Sequence, residues 1–271
     1  MTDTPKTVLV TGATDGLGRG VALALARDHA TVLVHGRDAA RADALAGELR
    51  AAGASAVRVY LADLASLADV RALARAVLAD EPRLDVLVNN AGIGSTVPSA
   101  ERAESVDGVE LRFAVNYLSH YLLTRALLPL LRAHPPARVV NVSSAGQAPI
   151  DFTDPMITHG YSGARAYCQS KLAQIMFTFD LADELAGTGV TANALHPATF
   201  MPTKIVASPL STLDEGVQAT LRLICEPSLA GITSKYFNGQ HEATADAQAY
   251  DLDARATLRA LSDELVARFR V

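Results

Sequence analysis

The sequence predicts a single-domain α/β protein: an open, doubly wound sheet of about seven parallel strands with helices on both faces. Three observations predict it. Short runs dominated by Val, Leu and Ile alternate with longer stretches of helical spacing. The runs are apolar throughout rather than alternating, as strands covered on both faces must be. A glycine-rich turn joins the first run to the first helical stretch. Repeated strand–helix–strand order implies right-handed crossovers and so the Rossmann-like arrangement.

Six strands are expected at Thr7–Thr11, Thr31–His35, Ala56–Leu61, Leu84–Asn89, Arg138–Ser143 and Val190–His196, and a seventh at Ser234–Asn238. Helical spacing fills Leu17–Asp28, Ala39–Ala52, Leu67–Asp80 and Leu111–Leu131. No linker or shift of composition divides the chain, so residues 1–271 are read as one domain, with a dinucleotide-binding half over about 6–140 and a catalytic and substrate half over about 141–271. Ala145–Ala166 and Ala198–Leu213 break the alternation and read as irregular loops. Both follow strands at the carboxyl edge of the sheet, where open α/β sheets bind ligands.

Composition narrows the function. The chain has 271 residues, 49% hydrophobic and 20% charged, enough for one large core. A net charge of -5 argues against a nucleic-acid partner, which needs clustered Lys and Arg. No apolar run approaches the ~20 residues that cross a bilayer, and Met1–Lys6 is polar. No membrane association and a cytoplasmic location are expected. Cys168 and Cys225 form no disulfide framework, and the seven histidines lack metal-ligand spacing, so no metal is expected.

Thr11-Gly12-Ala13-Thr14-Asp15-Gly16-Leu17-Gly18 follows the first strand. Gly12 permits a tight turn, Gly16 a close approach of backbone to ligand, and Gly18 close packing of helix on strand. The helix N-terminus then offers free N–H groups and a positive dipole to a diphosphate. The second strand ends at Gly36-Arg37 instead of a carboxylate that would bond a ribose 2′-OH. A guanidinium at Arg37 suits a 2′-phosphate, favouring NADP(H) over NAD(H). The plainer alternative is a solvated Arg37 beside Asp38.

Tyr167-Cys168-Gln169-Ser170-Lys171 places a phenol and an ammonium one turn apart on one helix face. A nearby cation favours phenolate and lowers the phenol's pKa. The same spacing is common on ordinary helices; its place in an ordered set gives it meaning. Ser144 stands where a hydroxyl could bond a substrate oxygen.

Together these residues resemble the short-chain dehydrogenase/reductase family over roughly residues 6–203, with the longer loop and the tail from Lys235-Tyr236-Phe237 resembling its retinol-dehydrogenase-like branch. The resemblance matches Thr11–Gly18 to the cofactor loop, Asp63-Leu64 to an adenine contact, Asn89-Asn90-Ala91-Gly92 to the turn after the fourth strand, and Asn141–Ser144 to the strand delivering a catalytic serine. It implies a tetrad of Asn116, Ser144, Tyr167 and Lys171, with Asn116 holding a water. It implies cofactor contacts from Gly12, Thr14, Asp15, Gly16, Leu17, Gly18, Arg37, Asp63, Leu64, Asn90, Ala91, Gly92, Tyr167, Lys171, Pro197 and Thr203. A family Pro-Gly reads Pro197-Ala198 here.

The implied activity is NADP(H)-dependent hydride transfer at a carbonyl or alcohol carbon of a mainly apolar small molecule. A homodimer or homotetramer built on Tyr117–Leu131 and Leu172–Leu185 is expected. Ile150, Phe152, Met156, Phe200, Met201 and Ile205 are candidate pocket walls. Two alternatives are an NADP-dependent epimerase or dehydratase using the same Tyr/Lys pair, and a non-catalytic NADP(H)-binding sensor.

Overall fold

The computed structural model describes residues 5–96, 99–199, 201–202 and 210–268. The elements run β1 (Thr7–Val10), α1 (Gly16–Arg27), β2 (Thr31–Gly36), α2 (Ala39–Ala51), β3 (Ala56–Leu61), α3 (Leu67–Asp80), β4 (Val86–Asn89), a π-helical turn (Phe113–Leu118), α4 (Ser119–Ala133), β5 (Ala137–Val142), α5 (Gly163–Glu184), β6 (Val190–His196), α6 (Leu213–Cys225), β7 (Lys235–Asn238), β8 (His241–Ala243) and α7 (Leu252–Arg268).

One sheet holds all the strands in the order β3-β2-β1-β4-β5-β6-β7-β8. The first seven are parallel, as expected; β8 is antiparallel to β7. It returns through Gly239-Gln240, with Gly239 at φ 58°, a conformation that glycine adopts without strain. Three residues are too few to show a period, so the sequence reading lacked this strand. The sheet divides the core in two. Val8, Val10, Val32 and Val34 pack against α1, α2 and α6. Leu9, Leu33, Leu87 and Val139 pack against α3, α4 and α5. This is the strand alternation of side chains.

Side-chain caps set the helix starts: Asp38, Ser66, Ser162 and Thr212 accept from the backbone N–H of Arg41, Asp69, Arg165 and Glu215. The Ser162 cap shortens the expected Ala145–Ala166 loop, because α5 starts at Gly163. Gly163 is required there, since a Cβ would lie 2.0 Å from the Ser95 carbonyl oxygen.

α7 crosses α4 and α5. Tyr117 and Ser262 hydroxyls meet at 2.6 Å, Tyr121 donates to Asp263 at 2.6 Å, and Arg255 and Arg259 pair with Asp183 and Asp180. Leu258 and Leu265 are buried beneath it. α7 of the same chain thus covers part of the α4–α5 face expected to bind a second copy. Among the described residues no helix is long and apolar enough to cross a membrane.

Candidate active site

The strand order reverses between β1 and β4, and crevices at such a switch point bind ligands. Two loops meet there and are locked together. The Thr11 hydroxyl accepts from the N–H groups of Asn90 and Ala91 at 2.9 and 3.0 Å and donates to the Val88 carbonyl. The Asn90 amide donates to the Thr11 carbonyl at 2.8 Å. Gly12 has φ 64° and Gly16 φ 48°. A Cβ on Gly18 would lie 2.3 Å from the Gly12 oxygen, so only glycine lets α1 start this close to β1.

His35 at the end of β2 holds the loop from below. Gly12 N donates to its Nδ1 at 3.1 Å, and its Nε2 lies 3.2 Å from the Ala62 carbonyl. Because an amide N–H only donates, Nδ1 must be the bare nitrogen and Nε2–H the donor. Burial keeps the ring neutral, with its pKa lowered to about 4.

The adenosine end carries two guanidiniums. Arg37, largely exposed past β2, lies 3.7 Å from Asp63. Arg41, in the first turn of α2, pairs with Asp15 at 2.8 Å and donates to the Thr14 carbonyl. Asp15 also caps α1 by accepting from Gly16 N. Sequence reasoning missed Arg41; its one signal was a position one helical turn beyond Arg37. The expected Asp63-Leu64 pair separates: Asp63 faces Arg37, whereas Leu64 is 3% exposed and belongs to the core. Leu17 is likewise a core residue of the α1 side.

At the other end Asn116, Ser144, Tyr167 and Lys171 come together. Asn116 lies in the π-helical turn rather than the regular helix expected over Leu111–Leu131. Its amide is fully engaged. Oδ1 accepts from Ile93 N at 2.8 Å, and Nδ2 donates to the Ile93 carbonyl and the Ser170 hydroxyl at 3.1 and 3.0 Å. The side chain therefore pins the Gly92–Ile93 loop. Gly92 is closely approached at the meeting point: a Cβ there would crowd Asn116 Oδ1 at 3.2 Å and lie 3.6 Å from Lys171 Nζ.

Ser143 and Ser144 separate cleanly. The Ser143 hydroxyl donates to the Lys171 carbonyl at 2.7 Å, a structural bond between β5 and α5. The Ser144 hydroxyl accepts from Gly146 N at 3.0 Å and lies near enough to the Tyr167 phenol to lower its pKa. Lys171 Nζ donates to the Val142 carbonyl at 2.9 Å and to Gln174 Oε1 at 2.8 Å, and lies 5.8 Å from the Tyr167 ring centre. Gln174 Nε2 is 3.2 Å from buried, neutral His120, whose Nε2 is 3.4 Å from the Thr11 hydroxyl. Gln174 and His120 were not singled out in the sequence, although each lies one turn past Lys171 or Asn116 on the same helix face.

Electrostatics here differ from the expectation of a phenol acidified by its lysine. Burial raises the Tyr167 pKa, opposed by the Ser144 hydrogen bond, and burial lowers Lys171 from 10.5 to about 7. Desolvation is the largest cause at both groups.

Pro197 is buried just past β6, beside a His196 Nε2–Thr199 hydroxyl contact at 3.1 Å. Thr203, Phe200 and Ile205 lie outside the described residues. Ile150 is buried in the core, Phe152 and Met156 pack on it, and Met201 packs on the α1 side. These four are packing residues before they are pocket walls. No group of His, Cys, Asp and Glu among the described residues could hold a metal ion.

The residues fit a dinucleotide at this crevice. Gly12 at positive φ, and Gly18 packed on the Gly12 carbonyl where a Cβ would clash, allow the tight turn that brings the α1 N-terminus to the crevice, and Lys171 and Asn116 meet at Gly92. Comparison with known proteins agrees. A family model described as short chain dehydrogenase matches residues 6–213. Mouse (Mus musculus) retinol dehydrogenase 14 is 39% identical over 96% of this chain and 86% of its own length. A short chain dehydrogenase from Shigella flexneri 2a, solved with NADP, superposes with a TM-score of 0.71 at 27% identity, covering 87% of this chain and 97% of that one. A 3-ketoacyl-(acyl-carrier-protein) reductase from Brucella melitensis, solved with NADH, gives 0.67 at 29%, covering 86% and 96%. The family fold, the crevice and these relatives identify a nicotinamide-dependent oxidoreductase: the chain belongs to the short-chain dehydrogenase family and is retinol-dehydrogenase-like within it.

Proposed function

We propose that the protein is an NADP(H)-dependent oxidoreductase that acts on the carbonyl or alcohol carbon of a mainly apolar small molecule, with retinoid-like aldehydes and alcohols as the first class to try. The observation that carries this reading is the meeting of Ser144, Tyr167 and Lys171 beside Gly92 and Asn116. The cofactor, when bound, supplies or accepts the hydride, and its oxidised ring brings a positive charge. Tyr167 gives its phenolic proton to the substrate oxygen in reduction and takes it back in oxidation. Ser144, beside that phenol, donates its one hydroxyl hydrogen bond to the same substrate oxygen and steadies its developing charge. Lys171 keeps an N–H beyond the two committed to Val142 and Gln174 when protonated, available to a ribose hydroxyl. Asn116 holds the Gly92–Ile93 loop that shapes this gap.

Preference for NADP(H) rests on Arg37 and Arg41. Their partners Asp63 and Asp15 form exposed ion pairs worth little in water, so a 2′-phosphate can exchange for them. Initial rates with all-trans-retinal, benzaldehyde, decanal and a quinone, each with NADPH and NADH, test the reading. Turnover with NADPH that falls about tenfold or more in kcat/KM for Arg37→Ala, with the NADH rate unchanged, is expected. Binding of NADPH without turnover across the panel would favour a sensor, and equal use of both cofactors would remove the NADP assignment.

A further inference from the structure

Tyr236, on β7, is buried at 3% exposure and lies on the α5 side of the sheet, whereas its neighbour Phe237 lies on the other. A buried phenol needs a polar partner. The partner here is the carbonyl of Ser144, which accepts from Tyr236 at 3.0 Å and from Gln147 Nε2 at 3.2 Å. Gln147 is itself fixed, because Asp246 N donates to its Oε1 at 2.7 Å. Nearby, the Gln248 side-chain amide bonds both the N–H and the carbonyl of Ile150, at 2.6 and 3.0 Å. The C-terminal segment thus grips the loop at the residue that delivers the serine hydroxyl.

We propose that Tyr236 is a positioning residue for proton transfer: with Gln147 it fixes the Ser144 backbone, and so holds the Ser144 hydroxyl against Tyr167. The inference rests on the reading of Tyr167 as proton donor and acceptor. The hydroxyl and the carbonyl of one residue are joined by few bonds, so slack at the carbonyl becomes slack at the hydroxyl. A shift of about 1 Å at a reacting group can cost on the order of 10²-fold in rate. The Ser144 hydrogen bond also favours the Tyr167 phenolate, against burial, which favours the phenol. Loosening Ser144 therefore raises the proton affinity of Tyr167. The other groups around Tyr167 are Cys168 and Lys171 on its own helix, and His196 on β6, which faces Lys171. Deleting the Tyr236 oxygen changes none of them, and Tyr236 itself stays neutral, its pKa raised by burial to about 12.

Tyr236→Phe, Gln147→Leu and the double variant test this, each alone and combined with Tyr167→Phe. Tyrosinate absorbance in the presence of NADP+, taken as the difference from the matching Tyr167→Phe protein, reports the Tyr167 titration without a substrate. Turnover is read with the best aldehyde or alcohol of the panel above. Tyr236→Phe is expected to move the Tyr167 midpoint up by about half to one pH unit, the size of one hydrogen bond. It should lower kcat about 5- to 50-fold while the NADP+ dissociation constant stays within about twofold. The double variant should lose little more than the larger single effect. A Tyr236→Phe protein with unchanged midpoint and unchanged kcat overturns the proposal, even if its melting temperature falls. Turnover retained in Tyr167→Phe alone removes the proton-transfer reading, and this inference with it.

Discussion

Single residues in this site are governed by burial. Lys171 has the clearest consequence. Its folded pKa of about 7 lies below the ordinary 10.5. Between those values the unfolded chain holds a proton that the folded chain has released, so stability rises with pH across the window; below pH 7 the full penalty of burying the ammonium is present. Lys171→Met is expected to flatten the rise of unfolding free energy between pH 7 and 10 by up to about 1.4 kcal/mol per pH unit, as read from urea unfolding. Parallel pH curves for the two proteins would mean that Lys171 keeps its charge. His35 works in the opposite range. Its folded pKa of about 4 lies below 6.5, so acid between these values favours the unfolded chain. Below pH 4 the ring gains Nδ1–H and can no longer accept from Gly12 N. His35→Leu leaves that amide without its acceptor at every pH, and should weaken NADPH binding by about 1–3 kcal/mol, measured by calorimetry at pH 7. Affinity equal to wild type would show that the glycine turn holds its shape without the histidine.

At the scale of elements, much was legible in the sequence, and the gaps have physical causes. The parallel strands declared themselves because burial on both faces forces continuous apolar runs. The glycine turn was readable because backbone geometry and close approach leave little choice of residue. The π-helical turn at Phe113–Leu118 was not, since its sequence has ordinary helical spacing and its distinction lies in backbone bonding. Nor was the contact between Gly163 at the start of α5 and Ser95 in the loop after β4, 68 positions apart and joined only by the fold. Beside it Arg112, 1% exposed, donates to the carbonyls of Gly94, Ser95 and Ser99 and to Tyr161, whose hydroxyl also reaches Glu110. This cluster ties the loop after β4 to the start of α5. Gly163→Ala must push backbone apart, and is expected to cost at least about 2 kcal/mol, seen as a lower urea midpoint. A midpoint unchanged by the added methyl would show that the loop after β4 and the start of α5 separate easily.

For the molecule as a whole, the packing of α7 over part of α4 and α5 was not legible in the sequence. Apolar stretches in two helices read equally well as a subunit face or as an internal one. Tertiary placement sets Ser262, Asp263, Arg255 and Arg259 over Tyr117, Tyr121, Asp183 and Asp180, so part of this surface is internal. A chain ending at Asp251 would bare Tyr117, Tyr121 and Phe177, and should self-associate or melt well below the full chain; light scattering and thermal unfolding check this. A truncated protein of unchanged mass and melting temperature would mean that α7 contributes little. The substrate class was the least legible feature. Ile150, Phe152 and Met156 look like pocket residues in sequence but pack on the core, since one apolar side chain serves either role.

The central claim is that the Tyr167 phenol carries the substrate proton within a dinucleotide crevice, and Tyr167→Phe tests it most directly. With wild type and variant compared for NADPH binding and for turnover on the same aldehyde, the account predicts a loss of about 10²–10⁴-fold in kcat with the NADPH dissociation constant nearly unchanged. Wild-type turnover in the phenylalanine variant would contradict it.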